Sequence, residues 1–386
     1  MTTKLDGYDI FSPQFRNCPH PHWQAMREGC PVAHSDNTGG SWMLAAYDDI
    51  RDAVRDPERF SSRSAEVAGP AEYAGGLLLP PITSDPPEHR GHRERLAPFF
   101  HPRRIAELEP FVRELARSLA GEFAARGGGD AAAEFAQRLT VSVLAKLLDV
   151  PPETHARFID WTVRLLRLGP LSQEIRACAV REMIAFFDAL LTERATGDGD
   201  DLLSHLARAE TDRKVRIGSA MVVMIAGADT TWSAISASLF HLGTHPEDRR
   251  RLAREPDLMS TAVEELLRAY APVMLARLTT GPVEVRGTPI PAGERVILPL
   301  ASANRDPGVF DEPDTVLLDR RRNRHLAFGS GAHRCLGSTL ARLELRVALE
   351  EWLRVIPDYD VIGPDAVEWT GGNVRGPDTV PVRVRT

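Results

Sequence analysis

No stretch of this 386-residue chain holds the roughly 18 to 20 consecutive apolar residues of a membrane-spanning helix. The opening MTTKLDGYDIFSPQF has neither the apolar core of a signal peptide nor an amphipathic anchor. Cysteine is scarce. Cys18, Cys30, Cys178 and Cys335 are scattered, with no CxxC and no zinc spacing, which excludes a disulfide-stapled or zinc-ribbon fold. There are no internal repeats, and 29 glycines with 29 prolines are ordinary usage, which excludes collagen-like and low-complexity chains. Neither sign of charge dominates: a net charge of −7 and a pI of about 6.0 argue against a general nucleic-acid binder. What is left is globular composition, 43% hydrophobic and 26% charged. The expectation is a cytoplasmic monomer with no membrane and no nucleic-acid partner.

The first forty residues read as irregular, broken by FSPQF and CPHPHWQ. Two short strands are expected at Val32–Ser35 and Trp42–Ala45, and short helices at Asp48–Arg55 and Arg90–Phe99. Ala65–Pro81, rich in glycine, alanine and proline, reads as a mobile loop. Helical periodicity then dominates, over Ile105–Ala125, Ala131–Leu148, Ala156–Leu168, Ser172–Arg194, Leu202–Ala209, Arg213–Gly243, Pro246–Arg254 and Leu258–Tyr270. Strand-like fragments follow at Val283–Val285, Thr288–Ile290 and Arg295–Leu298, then an arginine-rich loop and a helix over Leu336–Val355. The pattern is mainly α with minor β. Because strands come from both ends, it predicts one closed domain over 1–386, with an α-rich and a β-rich lobe.

Four segments carry chemistry. In Phe328-Gly-Ser-Gly-Ala-His-Arg-Cys335-Leu-Gly337, two glycines two apart permit a tight backbone beside a flat, bulky object. Cys335 stands at the start of a good helix, where free N–H groups and the dipole hold a thiolate. Such a thiolate is a nucleophile or a metal ligand; a lone cysteine there would otherwise be a small buried hydrophobe. In the long apolar helix, Ala226-Gly-Ala-Asp229-Thr230-Thr231 places poor helix formers between apolar turns. Thr230 can bond back to the carbonyl four residues earlier, Gly227 loosens the helix, and Ala226 and Thr230 share a face with room for a ligand. Glu265 and Arg268 form an i,i+3 pair, a pattern that surface ion pairs such as Glu114–Arg117 also match. Finally His89 and Arg93, at i,i+4, and Arg277 suit carboxylates through charge-assisted hydrogen bonds.

Taken together these strings resemble the cytochrome P450 family over nearly the whole chain, from about Phe11 onward; HPEDRRRL, IPAGERV and ANRDPGVF also stand where that family has them. The resemblance implies the triangular, prism-like fold of that family around a buried haem b (iron protoporphyrin IX). It implies that Cys335 thiolate is the axial iron ligand, that Phe328 packs beside the sulfur, and that Gly337 and Ala226 flank the haem. His89, Arg93, Arg277 and His333 match the contacts to the haem carboxylates; His92 fits the spacing less well than His89. Asp229 and Thr230 match the acid–alcohol pair that handles dioxygen and protons. Glu265 and Arg268 match a structural pair completed by a later arginine, for which Arg320 is the best match beside Arg321 and Arg322. The implied activity is a haem-thiolate monooxygenase that places one atom of O₂ into a small to medium apolar organic substrate, by hydroxylation, epoxidation or dealkylation. The resemblance also implies that electrons come from NAD(P)H through a separate ferredoxin and ferredoxin reductase. A non-catalytic haem-binding sensor and a peroxide-driven peroxygenase are the alternatives.

The family architecture places the substrate pocket among Ala65–Leu79, Trp161–Leu171, Val222 to Ala226, Val273–Leu275 and the turn at Gly371–Asn373. Candidate lining residues are Leu78, Val222, Val223, Val273, Met274 and Leu275. Arg164 and Arg167 are expected in solvent, with pairing to a substrate carboxylate as the alternative. Arg320, Arg321, Arg322, Arg324 and Arg334, with Arg103 and Arg104, form a candidate docking patch for an acidic electron donor.

Overall fold

The computed structural model describes residues 8–63, 67, 78–210 and 212–385. At its centre runs one helix, Arg213–Thr244. It starts sharply because the Asp212 carboxylate caps it, accepting from the amides of Lys214 (2.7 Å) and Val215 (3.1 Å). It stops where Pro246 opens the next helix, Pro246–Arg254. By hydropathy and length the central helix would suffice to cross a membrane, although it has no unbroken apolar run; most of it is buried in the fold instead. Helices Arg138–Leu148, Gln173–Arg194 and Ser338–Val355 pack around it. Gly227 serves this packing. A Cβ there would lie 2.6 Å from Leu144 Cδ2, so the glycine lets Arg138–Leu148 come close.

The main sheet runs in the order Val32–Ser35, Ser41–Leu44, Arg295–Pro299, Met274–Thr279, Phe60–Ser61. The parallel register Trp42 to Val296 and Met43 to Ile297 fastens the N-terminal hairpin to strands far along the chain. A second sheet sets Pro381–Val384 between Gly128–Asp130 and Tyr359–Val361. Buried apolar side chains form one connected core from Ile10 to Val382.

Several expectations need correction. The first forty residues are not irregular: they contain helices Pro13–Asn17 and His20–Gly29. The prolines that read as breakers sit at helix starts, where the missing N–H costs nothing. The single helix expected over Ile105–Ala125 is two, Pro102–Ala106 and Glu109–Ala125, with Pro110 in the first turn of the second. Wide π-type turns occupy Ala132–Gln137 and Val163–Leu168, so the helices expected there change pitch. Strand Met274–Thr279 joins the two halves of the main sheet and has no period-2 signal strong enough to reveal it. Of the loop expected at Ala65–Pro81, residues 65, 66 and 68–77 lie outside the described residues.

Candidate active site

Cys335 is held by its loop before its helix begins. Its amide donates to the Phe328 carbonyl (2.8 Å), closing a turn in which Gly329 and Gly331 have φ of +66° and +67°. A side chain at either glycine would be strained. Helix Ser338–Val355 starts three residues later, and the Gly337 amide donates to the Cys335 sulfur. Cys335 is accessible to solvent, yet burial pushes its thiol pKa up. Both hold because the sulfur faces a recess enclosed by protein. The Gly337 amide and the cations Arg93, Arg342 and Arg334 oppose that rise and favour the thiolate.

Beside the recess the donors converge. His89 is 4% exposed, and its ring lies 4.3 Å, centroid to centroid, from that of His333. Among the described residues, the Nε2 atoms of both histidines have no hydrogen-bond partner. Arg277 is equally buried, and its one described hydrogen bond goes to the neighbouring Ala276 carbonyl. Burial drives the Arg277 guanidinium down to about 10. Burial, then Arg277, His89 and Arg93, hold His333 at about 3. Arg93 is lowered as well, first by burial. Among the described residues none of these four has a carboxylate within ion-pair distance. His92 is not part of the group; its Nδ1 meets Ser84 Oγ at 2.9 Å.

The central helix forms the opposite wall. Ala226 is exposed in the middle of an otherwise buried helix, with Gly227 and Thr230 partly so. Thr230 Oγ1 donates to the Ala226 carbonyl at 2.7 Å. Asp229 points elsewhere. Its side chain is 1% exposed and accepts from Arg167 Nη2 at 2.9 Å, while Arg167 Nη1 reaches Asp378 at 2.7 Å. Arg167 is therefore not in solvent as expected; it is 11% exposed and lies over the Trp232 ring. Arg164 is likewise engaged, pairing with Asp160 and Glu182 at 2.5 Å each. The π-type turn Val163–Leu168 turns Arg167 inward, and a regular 3.6-residue reading of the sequence could not supply that rotation.

The cytochrome P450 family model matches residues 171–355. The chain is 35% identical to the vitamin D(3) 25-hydroxylase of Pseudonocardia autotrophica, across 99% of this chain and 97% of that protein. The chain belongs to the cytochrome P450 family. It is also 35% identical to the mycinamicin IV hydroxylase/epoxidase of Micromonospora griseorubida, over 89% of each chain. The structure of the Bacillus subtilis bacillaene polyketide synthase cytochrome P450 PksS superimposes with a TM-score of 0.90 at 28% identity, covering 98% of this chain and 100% of that one. This P450 is thus a monooxygenase that works with haem and O₂.

The recess fits that group. It offers one sulfur held by an amide, two orphaned buried imidazole nitrogens, two guanidiniums without carboxylate partners, and a small residue opposite. That donor set suits an iron porphyrin bearing two carboxylates.

Behind the loop lies the supporting network. Glu265 and Arg268 are fully buried and doubly bonded, Nε to Oε2 and Nη2 to Oε1, at 2.8 Å each. Arg320 Nε completes the set on Glu265 Oε2 at 2.9 Å; Arg321 and Arg322 are exposed. Arg268 also holds the carbonyls of Asn304, Pro313 and Thr315, which ties down the segment leading to Cys335. A second network escaped the sequence reading. Glu264 takes Arg342 (2.6 Å) and His325 (3.0 Å), and the Phe328 ring lies between those two, 4.3 Å from the guanidinium. Burial alone would raise the Glu264 carboxyl, but hydrogen bonds from Arg342 and His325 outweigh it and hold it down at about 2. The only sequence signal was an arginine two turns after Cys335.

The candidate pocket residues divide. Val222 and Val223 precede Ala226 by four and three positions, on its side of the helix. Val273, Leu275 and Arg277 alternate along one strand face, while Met274 is on the other, 4% exposed in the core. Met274 therefore does not share the face of its neighbours. Leu78 is 41% exposed, and its carbonyl lies against Gly218 of the central helix.

Proposed function

We propose that this P450 hydroxylates a medium-sized apolar organic molecule, with epoxidation or dealkylation as variants, using electrons passed from NAD(P)H through a separate reductase and ferredoxin. The observation that carries this reading is the recess between Cys335 and the Ala226–Thr230 face, bordered by unpaired donors. The haem supplies oxygen activation and the oxidising power. The chain supplies the rest. Cys335 would hold the iron through its thiolate; His89, Arg93, Arg277 and His333 would hold the carboxylates, with Phe328 and Gly337 shaping the sulfur side. Thr230 gives its hydrogen to the Ala226 carbonyl, which leaves oxygen lone pairs open to the recess. When the hydroxyl turns it relays a proton into the recess, passing one on as it takes another from water, so that the threonine stays neutral. Asp229 takes up and releases a proton once the Arg167 pair parts. Val222, Val223, Val273 and Leu275 exclude water and present one carbon of the substrate. The names of two relatives, a vitamin D(3) 25-hydroxylase and a mycinamicin IV hydroxylase/epoxidase, support hydroxylation or epoxidation as the reaction.

The electron donor docks on the thiolate side. Arg103, Arg321, Arg322, Arg324 and Arg334 are exposed there with no ion pair among the described residues, whereas Arg320 is tied into the Glu265 network and Arg104 lies over Phe99. An acidic ferredoxin complements this patch, with an association rate that falls as salt rises. Charge reversal at Arg321→Glu with Arg322→Glu should slow reduction by ferredoxin and flatten its salt dependence. A cytoplasmic, single-domain monomer over 1–386 leaves that face open.

The test is turnover. With ferredoxin, reductase, NAD(P)H and labelled O₂, a compound that shifts the haem spin state should gain one labelled oxygen atom. Product from peroxide but never from O₂ would replace this reading with a peroxygenase. A haem spectrum with ligand shifts and no turnover in either system would make the protein a sensor.

A further inference from the structure

A second cluster of cations lies away from the haem recess, between helix His20–Gly29, the segment 304–306 and the turn 369–376. Arg305 and Arg375 repel each other, and both act on His20 and Tyr270; Arg27 acts on His20 and is itself acted on by Arg305. Most of their described bonds go to carbonyls. Arg27 Nη1 donates to Ser302 O (3.1 Å) and Oγ (2.8 Å), Arg305 Nη2 to Ala269 O (3.1 Å), and Arg375 to Arg16 O (2.8 Å) and Asn17 O (3.1 Å). Arg375 also lies 4.1 Å over the Trp369 ring.

Negative charge is short here. Asp314 pairs with Arg305 at 2.9 Å but is 64% exposed. Asp306, Asp314 and Glu28 act on Arg27 only at longer range, and the Asp306 oxygens are taken by the amides of Tyr47 and Gly308. Among the described residues, four donors in this group have no partner: His20 Nδ1, Trp23 Nε1, Arg27 Nε and Arg305 Nε. Trp23 is 1% exposed and Arg305 9%; the Trp23 and His20 rings meet edge-on at 5.4 Å. Burial and Arg305 push Arg375 down to about 9, and burial with the three guanidiniums drives His20 well below the usual imidazole range.

We propose that this cluster is a binding site for a small inorganic anion of chloride size, held among His20, Arg27, Arg305 and Arg375. Water can satisfy a stray donor, but it leaves the repulsion among buried like charges untouched. An anion does both. The near-complete burial of Trp23 and Arg305 restricts the ligand to a small one. The site also joins the N-terminal segment to the turn whose Asn373 carbonyl accepts from the Met274 amide at 3.0 Å and whose Val374 bridges to Val273. Its occupant braces the strand that carries Leu275 and Arg277.

The experiment uses the haem-loaded protein. Its melting temperature is followed as chloride replaces gluconate at constant ionic strength, and crystals soaked in bromide are examined by anomalous scattering. The expected result is a saturable rise of about 2 °C or more, lost in Arg375→Gln and in Arg27→Gln, with a bromide peak among the three arginines. Either no bromide peak or a chloride response equal in wild type and Arg27→Gln would overturn the proposal. The bromide peak in the wild type decides the matter even where Arg375→Gln fails to fold.

Discussion

The two sides of the recess are built by opposite means. On the sulfur side, fully buried Glu265 and Arg268 and the Glu264–Arg342–His325 cluster fix one loop through charge-assisted bonds from several directions. On the other side there are small residues, a hydroxyl bonded to its own helix, and one acid held by Arg167, which also pairs with Asp378. The difference follows from the tasks. A metal ligand must be positioned once and kept there, so redundancy costs nothing in function. A wall that admits substrate and moves protons needs space and a bond that can exchange.

This comparison can be broken most severely at Glu265. Glu265→Gln leaves Arg268 buried without its charge partner, and the expected loss is about 3–5 kcal/mol of stability with poor haem retention. Melting temperature and haem content per chain check it; a variant with wild-type values for both would show that the thiolate loop does not depend on this pair. Thr230→Ala tests the opposite wall. Stability should hold, since only a hydroxyl bonded to its own helix is removed, while product formed per reductant consumed falls about 10²-fold. Measuring product and reductant together separates this from simple loss of folding.

Arg167→Gln sharpens the contrast by releasing Asp229 without touching the sulfur side. Asp229 is left buried with a weaker partner, so stability should drop by about 1–3 kcal/mol, and the rate and solvent isotope effect of turnover should change while the haem spectrum does not. A spectrum altered as much as in Glu265→Gln would mean the two sides are not independent. Glu264→Gln is the mildest change. The Glu264 carboxyl is depressed in the folded protein, so its contribution is complete above the ordinary carboxylate pKa and is lost as pH falls toward 2. The wild type should lose on the order of 1–2 kcal/mol over that window. The variant should lack that part of the acid sensitivity, which paired urea titrations at pH 6 and pH 3 would show.

The legible parts share a physical character. The cysteine loop was readable because its glycines, histidine and cysteine are contiguous, and positive φ at Gly329 and Gly331 admits little else. The central helix was readable from its period, and its odd residues marked a site because Gly, Asp and Thr weaken a helix interior. Glu265 and Arg268 were readable only by position, since their burial is invisible in the chain itself. Arg167 was misread as solvated because a π-type turn and the distant Asp378 decide where it points. Met274 was misplaced because pocket membership turns on strand phase, and that strand was not recognised.

Sequence alone therefore determined the chemistry that depends on local backbone: which cysteine can sit at a helix start behind two left-handed glycines, and where a long apolar helix carries a weakened turn. Tertiary structure decided what depends on charge meeting charge across the chain. Arg320 rather than Arg321 reaches Glu265, Arg167 restrains Asp229, and Arg27, Arg305 and Arg375 converge beside His20 from segments hundreds of residues apart. Local conformation is fixed by sterics within a few residues, whereas a buried ion pair exists only when packing removes the water from both partners.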